Sequence, residues 1–170
     1  QHNHITGRER EFSPQHNLIS TTDAQSRILY ANQHFCSIAG YKPEELEGET
    51  HNIVRHPDMP RGAFKLMWNA LKAEREFFAY VKNMTAHGDF YWVFANITPD
   101  RDANGKVVGY FSFRRKPRRE AIAVIEPIYA EMRAIEKRAG PANAPDASMA
   151  FLVAKLEGLG ISYDRFILDL

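Results

Sequence analysis

Three runs rich in β-branched and aromatic residues, Glu76–Met84, Phe90–Thr98 and Val107–Arg114, follow one another in the second half of the chain. Only short polar gaps separate them. The first contains His87-Gly88-Asp89 and the second Asp100-Arg101-Asp102-Ala103-Asn104-Gly105. Glycine, asparagine and aspartate in these positions are turn chemistry, so the three runs read as an antiparallel meander. Two more strands precede it, Leu18–Asp23 and Ile28–Asn32. Between them and the meander lie short helices. Gln33–Ala39 stops at Gly40, and Lys42–Leu46 opens with Pro43 and acidic residues where the helix dipole favours them. Then Phe64, Met67, Trp68 and Leu71 recur at three- and four-residue steps, the stripe of an amphipathic helix. Strands on both sides of a helical insert, without alternation, predict an α+β domain. Its five-stranded antiparallel sheet would carry the short helices on one face.

The ends of the chain divide from this centre. Residues 1–16 form a polar leader containing Pro14, and residues 17–116 form the domain itself. Residues 117–139 turn helical, with Ile122, Ile125, Tyr129, Met132 and Ile135 along one side and Pro127 expected to kink or restart the helix. Residues 140–170 read as a linker over Gly140–Pro145, a helix over Met149–Leu159 and an amphipathic tail.

Charge and cysteine usage remove several function classes. With 22 basic and 21 acidic side chains the net charge is +1, which makes no general case for nucleic acid or an anionic membrane. The basic run Arg114–Arg119 reads as a solvated linker. Cys36 is the single cysteine, so no internal disulfide or cysteine-based zinc cage can form. No membrane-length apolar run and no signal-peptide pattern occurs, and the expectation is a cytoplasmic protein. The chain also carries no Ser-His-Asp pattern, metal-ligand cluster or phosphate-binding glycine loop, so an enzyme is not expected.

Ala31-Asn32, the Phe35-to-Tyr41 helix pair, Glu44-Glu45-Leu46-Glu47-Gly48 and Gly88-Asp89-Phe90-Tyr91-Trp92-Val93 together resemble a PAS domain. His51-Asn52-Ile53-Val54-Arg55-His56-Pro57-Asp58-Met59-Pro60 is similar, more narrowly, to the PAS domains of the aerotaxis-receptor family. Val81-Lys82-Asn83 and Glu126-Pro127 with Tyr129 extend that similarity, which runs from about Ser20 to Met132. The resemblance implies a PAS fold that holds FAD non-covalently, senses redox state, oxygen or energy status, and signals without catalysis. It also sets two departures. The family continues into a membrane anchor and a signalling domain that this sequence does not contain. It often has Trp where this chain has Phe77. Cys36 does not match the Gly-x-Asn-Cys-Arg context of photochemical cysteinyl-flavin domains.

A flavin needs aromatic or aliphatic walls, a few amide-like groups and a cation near its phosphates. Arg55 and His56 stand just before the Phe64–Leu71 helix, whose first amides would favour an anion. Asp58 would orient these neighbours or the ribose; alternatively it is the helix N-cap. Strand parity puts Phe77, Ala79, Val81 and Asn83 on one face, and Tyr91, Val93, Ala95 and Ile97 on the matching face of the next strand. Taken with the resemblance, these features imply Arg55, His56, Asp58, Asn32, Asn83, Trp68 and Phe77 as the cofactor-binding residues. Trp92 and Phe94 fall on the opposite face and need a cover: the leader, the Ile122–Ile135 helix or a second subunit. A homodimer or a signalling protein in trans is the expected partner.

Two other readings stay open on the residues alone. One is a haem-binding gas sensor using His34, His51, His56 or His87 as axial ligand. The other is a cofactor-free interaction or dimerisation module. A visible spectrum separates all three.

Overall fold

The computed structural model describes residues 4–170. The first three residues of the leader lie outside it. Five strands, β1 (Leu18–Asp23), β2 (Ile28–Ala31), β3 (Phe77–Met84), β4 (Phe90–Arg101) and β5 (Val107–Arg115), form one sheet in the order β2-β1-β5-β4-β3. Every pairing between them is antiparallel. The helical insert between β2 and β3 comprises α1 (Gln33–Ala39), α2 (Pro43–Leu46), a 3-10 turn at His51–Val54, and α3 (Arg61–Lys72). After β5 come α4 (Arg119–Ala139), α5 (Ala144–Gly158) and α6 (Tyr163–Leu168). The sheet and its short helices are those expected from the hydrophobic pattern.

Register explains how the sheet separates two apolar layers. Val81 pairs with Val93 and Ala79 with Ala95, and these residues face the inner layer with Tyr91, Leu18, Ile28, Phe35 and Leu46. Tyr80 pairs with Phe94 and Lys82 with Trp92, and the three aromatics face the outer layer. Close packing of β1 on β5 needs Gly109, because a Cβ there would meet the Thr22 carbonyl oxygen at 1.9 Å.

The outer layer is covered by the chain's own C-terminal helices. Ile122, Ile125, Ile128, Tyr129 and Met132 of α4, Leu152 and Leu156 of α5, and Ile167 of α6 bury themselves against Trp92, Phe94 and Tyr80. Tyr129 stacks on Trp92 and donates its hydroxyl to the Tyr80 carbonyl at 2.6 Å. This cover changes three local expectations. The helix runs unbroken through Pro127. An interior proline costs about 3 kcal/mol, but each fully buried aliphatic side chain returns about 1.5–3 kcal/mol, and α4 buries several. The Gly140–Pro145 stretch is a turn in which Ala144 and Pro145 already belong to α5. That helix therefore starts five residues before the expected one. The leader, read only as a polar segment, pairs with the start of β4, where Glu9 bridges Phe90 in parallel.

Packing of α4 on the sheet predicts that Ile125→Ala destabilises the protein by about 2–5 kcal/mol. Val124→Ala, on the exposed side of the same helix, should stay within roughly 0.5 kcal/mol. Urea unfolding of the two variants checks this, and equal effects would mean that α4 is not docked as described.

Candidate functional site

A cleft of about 140 Å³ lies between α3, the 3-10 turn and the inner face of β3, β4 and β5. On one side α3 contributes Phe64, Met67, Trp68 and Leu71; on the other the strands contribute Val81, Ala95, Ile97 and Tyr110. Val81 and Ala95 are small and Tyr110 is flat, which leaves depth over the sheet. The α3 residues are large because one helix must close it. Trp68 meets Tyr110 edge-on at 5.6 Å, which fixes the outer wall.

The polar groups of Asn83, Ser112, His51 and Arg114 also line the cleft. Arg114 is 6% exposed, yet among the described residues no carboxylate pairs with it. Its guanidinium donates instead to the Ser20 hydroxyl at 3.0 Å and the Leu18 carbonyl at 3.5 Å, and sits over the Phe35 ring. Its Nη2 lies 3.3 Å from His51 Nε2, which is also 2.9 Å from Ser20 Oγ. That nitrogen must accept from the guanidinium, so the His51 ring proton sits on Nδ1. Burial, then the positive charge of Arg114, pull the His51 pKa down to about 3. Burial also draws Arg114 down to about 10, still protonated at neutral pH. A buried cation held only by neutral acceptors is incompletely compensated.

Of the seven residues expected at the site, the structure brings Arg55, Asn83 and Trp68 to the cleft wall. Arg55 and Asn83 are joined by an antiparallel backbone bridge, and the Arg55 guanidinium lies 4.0 Å over the Phe64 ring. The other four side chains are engaged elsewhere. Asn32 caps α1, accepting from the Phe35 and Ile19 amides and donating to the Asn17 carbonyl. Phe77 stacks on Tyr163 of α6 at 5.1 Å and is not among the residues lining the cleft. His56 is buried edge-on against Phe90, and its Nδ1 accepts from the Asp58 amide. Asp58 pairs with Lys82 at 2.8 Å, while its carbonyl accepts from Arg133 of α4. Burial alone would raise the Asp58 pKa, but Lys82 holds it below the usual value.

His56 and Asp58 thus fasten their segment to β3 and α4, on the side of the sheet away from the cleft. The N-cap position of α3 belongs to Pro60, not Asp58. The first amides of α3, expected to face a phosphate, donate to the Glu136 carboxylate of α4. His51, Ser112 and Arg114 were not among the expected site residues. Parity along β5 could have found two of them, since Tyr110, Ser112 and Arg114 share the inner face.

Comparison with known proteins agrees with this architecture. A profile of the PAS fold matches residues 28–114, half of the chain. The chain belongs to the PAS family. The PAS chain is 43% identical over 133 residues to the aerotaxis receptor of Escherichia coli, a match covering 78% of this chain and 26% of that protein. It is 30% identical over 97 residues to a nitrogen fixation regulatory protein of Klebsiella oxytoca, covering 57% of this chain and 20% of the relative. The chain thus spans about a quarter or less of these relatives. Among solved structures, the PAS domain of a Colwellia psychrerythraea protein superposes with a TM-score of 0.55 at 20% identity, over 59% of this chain and 86% of that one. A light-oxygen-voltage domain studied with a flavin analogue superposes at 0.57 and 21% identity, over 72% and 87%. Both likenesses concern the fold.

The neutral, half-buried His51 sets a pH dependence. Its folded pKa of about 3 lies below the unfolded value of about 6.5, so the unfolded chain takes the proton first as pH falls. His56, lowered mainly by burial and then by Lys82, acts in the same direction. Stability should be fully present above about pH 6.5 and decline below it, by up to roughly 1.4 kcal/mol per pH unit for each histidine. Urea midpoints between about pH 6.5 and 4.5, above the carboxylate range, isolate this effect, and His51→Gln should reduce the slope. A flat profile in the native protein would count against a buried neutral pair.

Proposed function

We propose that this PAS domain is a non-catalytic sensor that binds FAD non-covalently in the α3–sheet cleft and reports redox or energy status. The observation that carries the reading is Arg114. A buried guanidinium without a carboxylate, lining a cleft with apolar and aromatic walls, fits an electron-rich ligand edge. Asn83, on β3 across β4 from Arg114, offers an amide that can donate or accept. A planar ring would slot between Trp68, Met67 and Phe64 on one side and Val81, Ala95 and Ile97 on the other. A cleft of about 140 Å³ has no room for the rest of the dinucleotide, which would leave past Arg55, a partly buried cation suited to a pyrophosphate. The similarity to the aerotaxis receptor supports the same assignment.

When bound, FAD supplies a ring that changes charge and protonation as it is reduced. The chain's own residues would convert that change into movement. Val81 and Asn83 face the cleft, whereas Tyr80 and Lys82, one residue away on β3, face α4 and the His56–Asp58 segment. A rotation of the Asn83 amide would therefore be felt through β3 at the Tyr129 hydrogen bond. The output surface is the α4–α6 cover. A partner or a second copy would read those helices, since the chain already occupies its own Trp92/Phe94 face.

The purified protein should be yellow and release FAD on heating; release of FMN, of haem, or of no chromophore overturns the assignment. Arg114→Met should lower flavin occupancy more than about tenfold, the loss of one charge-assisted contact of about 1.5–3 kcal/mol. It should leave the apoprotein's thermal midpoint unchanged or raised, because an unpaired buried charge is replaced by packing. Full flavin occupancy in Arg114→Met would remove Arg114 from the site.

A further inference from the structure

Helix α3 is held from two sides, and only one of them is the cleft. Phe64, Met67, Trp68 and Leu71 face the cleft. The N-terminal turn of α3 faces the junction of α4 and α5. There Glu136, from the last turn of α4, accepts from the Arg61 and Gly62 amides at 3.0 Å each. Ser148 of α5 donates its hydroxyl to the same carboxylate, and Arg61 Nη1 donates to the Pro141 carbonyl between the helices. Lys65 pairs with Asp146, and Asn69 reaches Met149 Sδ. Gly62 permits this contact: a Cβ there would fall 2.1 Å from Ser148 Oγ and 2.6 Å from the Met149 amide nitrogen.

The N-cap of α3, Pro60, has no side-chain cap bond, and the first turn has no acidic residue of its own. The helix leaves its N-terminal amides to be satisfied from outside, and Glu136 does so with a charge that also suits the helix dipole. Arg55, stacked on Phe64, lies within the electrostatic reach of both Arg61 and Glu136. The cleft wall and the C-terminal helix pair therefore share one rigid element.

We infer that Glu136 is the latch of a two-state device, in which docking of the α4–α5 junction onto α3 and closure of the cleft wall are one linked equilibrium. The device goes beyond the sensor reading above. It rests on that reading only for the choice of cleft ligand, because the latch itself needs no ligand. Linkage makes the effect reciprocal: whatever seats against Phe64 and Trp68 tightens α5, and whatever releases α5 weakens the cleft by the same factor. Glu136 touches neither the cleft nor its ligand, so it acts as a positioning residue.

Hydrogen exchange on the full chain, native and Glu136→Gln, tests the latch without ligand. The expected result is faster exchange in the variant both in residues 144–158 and in residues 51–55 and 64–71. Faster exchange confined to 144–158 would reduce Glu136 to a local cap and overturn the inference. Ser148→Ala, which removes one hydrogen bond to the latch, should show the same pattern more weakly and serves if Glu136→Gln fails to fold. Titration with FAD supplies the second arm. FAD should slow exchange of residues 144–158 in the native chain and bind Glu136→Gln about fivefold or more weakly. FAD that speeds exchange in α5, or binds both proteins equally, overturns the coupling. If FAD binds neither protein while the ligand-free pattern appears, the latch stands and the flavin assignment falls.

Discussion

Burial of β3 and β4 on both faces is the constraint from which the rest of the structure follows. Val93 and Tyr91 are fully enclosed on one side, and Trp92 and Phe94 nearly so on the other. A sheet in that position needs a layer above and a layer below, and a chain of this length has one helical insert and one C-terminal segment to provide them. The insert covers the inner face, yet leaves a gap over Ala95 and Val81, where the strand side chains are small. The C-terminal helices cover the outer face without such a gap. The cleft exists because the two layers are unequally filled.

The same asymmetry accounts for Arg114. Its side chain points inward from β5 by strand parity, into a layer whose neighbouring polar groups, Ser20, Ser112 and His51, are all neutral. A fold selected for stability alone would place a hydrophobic residue there. Retention of a guanidinium, with a histidine held neutral beside it, spends stability on an electrostatic property of the cleft. The opposite choice appears at the His56–Asp58 segment, where Lys82 pairs with the acid and Arg133 with the backbone carbonyl.

What the sequence made legible follows period and turn chemistry. The two faces of β3 and β4 could be read because alternation is a strict geometric rule, and the α3 stripe because four large apolar residues recur at helical spacing. Reading failed where meaning depended on neighbours distant in the chain. Arg114 opens a basic run that looks solvated when scanned linearly, although the strand turns its side chain inward. Pro145 reads as a breaker but occupies the first turn of α5, where its missing amide hydrogen is not needed. His56 and Asp58 adjoin Arg55 in sequence, but in a non-helical turn successive side chains need not share a direction. Asn32 was expected to bind the cofactor and instead satisfies the start of α1, an ordinary duty for asparagine before a helix.

The margins of the sheet carry a consequence for how copies of this protein meet. Along β3 the Phe78 and Tyr80 carbonyls accept from Tyr163 and Tyr129, and the Lys82 amide donates to Met59 Sδ. At the opposite margin β2 is only four residues long, and its register with β1 is broken between Thr21 and Thr22. A strand from another molecule would therefore find little continuous backbone to pair with on either side. Short, interrupted or side-chain-saturated margins of this kind oppose cross-β growth. On the β3 side this closure is made by hydroxyl groups on α4 and α6, from side chains that do not line the cleft.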